Sequence, residues 1–161
     1  MKIGVNTWVW TSPFGTKDYG LIPKIKSMGF DIIEVAAEDP SIIDAALLRR
    51  TAEEHVLSII ICGAFGTSRD ISSDDPAIRR NGADYIVECI RLAQAVGSTL
   101  VAGPVYSAVG KARLVSADQK ARAQVAEVKI GAGVSISSTK RIGRRTFSAL
   151  FFPCHRAATS R

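Results

Sequence analysis

Apolar positions alternate between two periods along the first 115 residues. Ile3 and Val5 follow the two-residue period of a strand, which predicts β structure over Lys2 to Trp8. Leu21, Ile25 and Met28 then stand at i, i+4 and i+7, the spacing of one helix face, so a helix is expected over about Tyr19 to Met28 with Gly29 just past its end. Asp31 to Ala36 reads as a second strand. Asp39 followed by Pro40 is a helix-opening pair, because the carboxylate accepts from free N–H groups and proline has no N–H to leave unpaired. A helix with the face Ile42, Ile43, Ala46 and Leu47 is therefore expected from there. Val56 to Cys62 is apolar almost throughout, as in a strand covered on both faces. Asp75 and Pro76 repeat the opening pair. The helix they begin carries Ile78, Tyr85, Ile86, Cys89, Ile90 and Leu92 on one side and ends at Gly97. Thr99 to Ala102 gives a fourth strand, and Ser116 with Gln119 forms a capping box that opens another helix.

The order is β-α-β-α-β-α-β-loop-α, with units of about 25 to 35 residues. Right-handed βαβ units of this kind build a doubly wound sheet or a (β/α)8 barrel. No G-x-G-x-x-G follows the first strand and no G-x-x-x-x-G-K-[ST] occurs, which weakens nucleotide-binding versions. A four-stranded flavodoxin-like sheet would need a fifth strand, and the end of the chain offers no convincing one. Long polar or glycine-bearing stretches follow the strands at Thr11–Lys17, Gly63–Asp75 and Gly103–Leu114. In barrels such loops build the active-site face. The expected fold is α/β: four parallel strands in the order 1-2-3-4 with helices on one face, the N-terminal half of a (β/α)8 barrel, followed by an irregular tail.

Composition changes this picture in one place. Apolar residues at 47% and charged residues at 22% of 161 positions are those of a globular domain. Three scattered cysteines, Cys62, Cys89 and Cys154, suit neither a disulfide framework nor a zinc site. With no signal-peptide pattern and no membrane-length apolar run, a cytoplasmic location is expected. The net charge of +6 is unevenly placed. Residues 1–127 hold 14 Lys and Arg against 15 Asp and Glu, a net of −1, whereas residues 128–161 hold 7 basic residues and no acid. A basic arm can bind nucleic acid. The tail, however, has no helical period and carries the run Phe147 to Phe152, a composition that a shifted reading frame produces in a GC-rich gene. The expected division is a partial barrel over 1–121 and an anomalous basic tail over 122–161.

Four stretches in order resemble the D-tagatose 3-epimerase and D-psicose (allulose) 3-epimerase group of the xylose-isomerase-like barrels. They are MKIGVNTWVWTSPF, MGFDIIEVAAE, CGAFGTSRDISSDDPAIRRNGADYIV and VAGPVYSAVGKARLVSADQKA, and the likeness stops near Ala121. The resemblance implies a sugar isomerase that inverts C3 of a ketose through an enediolate. It implies one divalent metal, commonly Mn²⁺, held by two Glu, one Asp and one His from the second half of the barrel, with the two glutamates moving the proton. None of those ligands falls in residues 1–121, so no catalytic and no metal-binding residue is assigned to this chain, which is expected to be inactive by itself. His55 precedes a strand, at the wrong end for a ligand, and His155 lies in the tail.

What the retained half would supply is contact with the sugar. Asn6 stands where family members often carry an aromatic, a departure that leaves the particular ketose open. Phe14 matches a loop aromatic that closes over substrate, with loop packing as its alternative role. Cys62 matches a pocket-lining position at a strand end, against plain core as the alternative. Glu34 is the one carboxylate inside an expected strand and needs a partner or a place at the barrel mouth. Trp8 and Trp10 could wall the pocket, with aromatic packing the simpler expectation; Arg69 and Asp70 are expected to be solvated loop charges, and Tyr106 to be near the pocket by topology. The expected partner is a ketose or related sugar, with no nucleic acid and no membrane, and with association or aggregation through open sheet edges. The rival readings are an endonuclease-type barrel, which would need several His, Asp and Glu after strands two to four, and a non-catalytic protein with a nucleic-acid-binding arm.

Overall fold

The computed structural model describes residues 1–104, 107–111 and 116–122. Its strands are β1 (Gly4–Asn6), β2 (Ile32–Ala36), β3 (Ser58–Cys62) and β4 (Val101–Ala102), paired in the order β1-β2-β3-β4. Every pairing is parallel, with Val5 beside Ile33, Ile33 beside Ile59, and Ile61 beside Val101. The expected order is thus found, with shorter strands: the outer residues of each sequence pattern serve as connections.

Three helices join the strands: α1 (Leu21–Ser27), α2 (Ala45–Glu54) and α3 (Pro76–Val96). α3 forms as the sequence predicts. The Asp75 side chain accepts from the Ala77 N–H at 2.8 Å, Pro76 occupies the first turn, and Gly97 closes the helix in the left-handed region at φ +78°. α2 differs from expectation. Asp39 does cap, accepting from the Ser41 N–H, but it opens only a 3-10 turn over Pro40–Ile42. Ile43 is extended, and the α-helix begins one residue after Asp44, whose carboxylate accepts from the Leu47 N–H at 2.9 Å. Two caps stand five residues apart, and the later one opens the α-helix; its buried residues are Leu48 and Ala52, whereas Ile42 and Ala46 of the expected face are exposed. The capping box at Ser116 and Gln119 is made in both directions, at 2.9 and 3.2 Å, before a helical segment over 117–122.

The core lies between the helices and one face of the sheet. Ile33, Val35, Ile61 and Val101 meet Ile22, Ile25, Leu48, Ile86, Cys89 and Val96 there, and Val5 and Ile59 pack at its margin. Residues one position away along each strand point to the other face. That second face carries Asn6, Ile32, Glu34, Ile60, Cys62 and Ala102. Ile32 and Ile60 belong to no core cluster and are only half-buried, so the helices cover one side of the sheet. Among the described residues no helix is long and apolar enough to cross a membrane.

Candidate functional site

The strand register assembles a polar group on the helix-free face. Asn6 is level with Glu34, and Ala36 is level with Cys62 at the C-terminal strand ends. The Thr7 hydroxyl, fully buried, accepts from the Ala36 N–H at 3.0 Å, and Ala36 and Cys62 are both buried. The Cys62 Sγ lies 4.0 Å from the Gly63 carbonyl oxygen.

Burial pushes the Cys62 thiol up to about 12; the Glu34 carboxylate, by hydrogen bond and charge, adds to the rise, and the Asn6 amide opposes it. At neutral pH the group is a protonated S–H that donates, not a nucleophilic thiolate. Three of the four sequence-predicted residues, Asn6, Glu34 and Cys62, are therefore brought together. Their combined chemistry is a carboxylate acceptor, an amide that both donates and accepts, and a small polarizable wall, a set able to hold hydroxyl groups. Phe14 is placed differently. It is fully buried in the helix-side core and stacks on Tyr19 with ring centroids 5.7 Å apart and planes at 24°. Tyr19 in turn donates to the Asp44 carbonyl at 2.8 Å.

Several rim residues depart from their sequence reading. Arg69 is not a solvated charge: its Nη2 donates to the carbonyls of Glu38 at 2.8 Å and Ala64 at 2.9 Å, and its guanidinium lies 3.8 Å from the centre of the Tyr85 ring. Asp70 is only 4% exposed, accepting from the Ser72 N–H at 2.9 Å and from Lys111 Nζ at 2.6 Å. Trp8 and Trp10, expected to pack, keep more than a third of their surface in water on the turn after β1. His55 sits at the end of α2 with Nδ1 2.9 Å from the Thr51 carbonyl. Tyr106, Cys154 and His155 lie outside the described residues.

The residue missed from sequence is Tyr85. Its periodicity places it on the buried side of α3, and nothing in that pattern shows what its hydroxyl does. The hydroxyl donates to the Ala37 carbonyl at 2.7 Å and accepts from the Ala64 N–H at 2.9 Å, tying the ends of β2 and β3 together. Tyr85→Phe is expected to leave both backbone groups buried and unpaired and to cost about 2 kcal/mol. Urea denaturation checks this, and a loss below about 0.5 kcal/mol would show that water replaces the hydroxyl.

The described residues offer no set of side chains that fits a divalent metal. Among the described residues no three His, Cys, Asp or Glu side chains come together, and the polar group offers one carboxylate beside a protonated thiol.

Comparison with known proteins gives a consistent answer. No family model matches the chain. A ketose 3-epimerase from Arthrobacter globiformis is 30% identical over 112 residues, which is 69% of this chain and 39% of that protein. An L-ribulose 3-epimerase from Mesorhizobium japonicum is 27% identical over 143 residues, 84% of this chain and 48% of its own length. Among solved structures, that of an L-ribulose 3-epimerase superposes with a TM-score of 0.71 at 26% identity, covering 82% of this chain and 46% of that one. The chain thus spans less than half the length of these three proteins, and the four-stranded sheet corresponds to the N-terminal half of their barrel.

Proposed function

The chain belongs to the ketose 3-epimerase family, and from that premise we propose that it supplies the substrate-contacting half of a barrel enzyme that inverts C3 of a ketose. The observation that carries the proposal is the grouping of Asn6 and Cys62, at the C-terminal ends of β1 and β3, with Glu34 in the middle of β2, on the face a (β/α)8 barrel turns inward. In this reading Glu34 accepts from sugar hydroxyls and the Asn6 amide orients a neighbouring oxygen. The Cys62 S–H limits the room beside them, and Phe14 fixes the first loop by stacking on Tyr19. Proton removal and return at C3 are assigned to residues outside 1–121, which also hold the family's metal. The 161 residues alone bind sugar without turning it over. The buried free thiols Cys62 and Cys89 suit a reducing cytoplasm.

The test uses D-allulose, the sugar bound in a solved Methylomonas D-allulose 3-epimerase to which this chain is 26% identical. Saturation-transfer NMR with the purified chain is expected to show weak contact that Glu34→Gln reduces several-fold, with no deuterium entering the sugar from D₂O. A longer protein, obtained by reading the gene past codon 121 in the other frames, is expected to exchange the C3 hydrogen and to lose that exchange on chelation. Exchange at C1 would make it an aldose–ketose isomerase. Turnover by the 161-residue chain would place the catalytic groups within it.

A further inference from the structure

We infer that the helix-free face of the sheet is a self-association surface on which a second copy of this chain completes an eight-stranded barrel. The inference rests on the barrel fold and not on the substrate. All four strands run parallel, and β1 and β4 stand at the two edges of the sheet with no outer partner strand among the described residues. Such edges pair readily with another chain. The face between them holds the apolar side chains Ile32 and Ile60, half-buried and outside the core, and at its N-terminal end the exposed Gly4 and Ser58.

Symmetry selects the arrangement. A two-fold axis running along the strands places β1 of each copy beside β4 of the other and keeps all eight strands parallel. The two new seams are identical, as a closed dimer requires. A two-fold across the strands would make both seams antiparallel. Size agrees: one copy corresponds to 46–48% of the solved epimerase chains it superposes on, so two copies supply close to one barrel. Ile32 and Ile60 of both copies would then share one interior, as barrel side chains do.

Light scattering coupled to size exclusion tests this on the purified chain. The expected mass is twice 17.2 kDa, with dissociation only on dilution. Ile60→Lys places a charge inside the closed barrel and is expected to weaken the dimer at least tenfold. Ser58→Arg provides a second test at a position already exposed in the single copy, so its fold is kept, and far-UV circular dichroism verifies that. It is expected to shift the equilibrium in the same direction. A monomer at all concentrations would overturn the inference, whatever segment covers the face. Open-ended aggregates would overturn it too, as would a dimer indifferent to both substitutions. The outcome does not depend on sugar binding, so failure here leaves the ketose reading standing.

Discussion

Gly103→Ala is expected to destabilise the chain by about 3–5 kcal/mol, a large share of a domain's usual 5–15 kcal/mol. Gly103 turns the backbone away from β4 at φ +115°, a conformation that side chains other than glycine's rarely adopt. It does so against the end of β3. A Cβ there would fall 2.2 Å from the Gly63 carbonyl oxygen and 2.9 Å from the Cys62 Sγ. Neither neighbour can yield cheaply, since one is backbone bonded into the sheet: the Gly63 N–H donates to the Ala102 carbonyl at 2.8 Å. Backbone strain and steric overlap therefore add. Gly20→Ala is the control, because nothing lies within 4 Å of its Cβ direction and its φ of −60° suits alanine. Urea melts of the two variants should differ in midpoint by well over 1 M in opposite senses from the parent. A Gly103→Ala protein as stable as the parent would mean that the β4 turn is not built as described. The same substitution should also disturb the Asn6, Glu34 and Cys62 group, since the new methyl would press on the Cys62 Sγ as well as on the Gly63 carbonyl.

The fold was legible where the signal is local. Asp75, Pro76 and Gly97 bound α3 because a cap acts within two or three residues of itself, and the alternation in Asp31 to Ala36 fixes which side chains face the helices. Asp39 shows where a local signal is insufficient: two adequate caps stand close together, and the α-helix starts at the second, Asp44, with Leu48 and Ala52 buried. The register that makes neighbours of Asn6, Glu34 and Cys62 follows from strand order, so this part of the candidate site could be reached from sequence. Arg69, Asp70 and Tyr85 could not. Each is bonded to groups far along the chain, Arg69 to Glu38, Asp70 to Lys111 and Tyr85 to Ala37, and no periodicity reports a partner 31 to 48 residues away. A charge in a glycine- and serine-bearing loop reads as solvated until another loop is laid over it.

That overlay yields the second large effect. Asp70→Asn is expected to cost about 2–3 kcal/mol at pH 7. Lys111, from the loop after β4, reaches across the loop after β3 and places Nζ 2.6 Å from Asp70 Oδ2, 2.6 Å from Ser72 Oγ and 3.1 Å from the Ser72 carbonyl. The amide would keep the shape but leave the ammonium with only the Ser72 oxygens. The Lys111 side chain retains 23% exposure, so water recovers part of the loss and the effect falls below that of a fully buried pair. Burial by itself would raise the Asp70 pKa, but the hydrogen bonds from Lys111 and Ser72 outweigh it and hold the carboxyl below its ordinary value. The folded pKa is thus depressed relative to the unfolded one. The ionised form's contribution to stability is complete above the unfolded value of about 4 and is lost as pH falls through the folded value. The gap between parent and variant should accordingly be constant from pH 7 to about 5 and close on further acidification. Urea melts across that range read it directly. A gap that stays the same down to pH 3 would show that the asparagine acts through packing, and that the ion pair does not hold the two loops together.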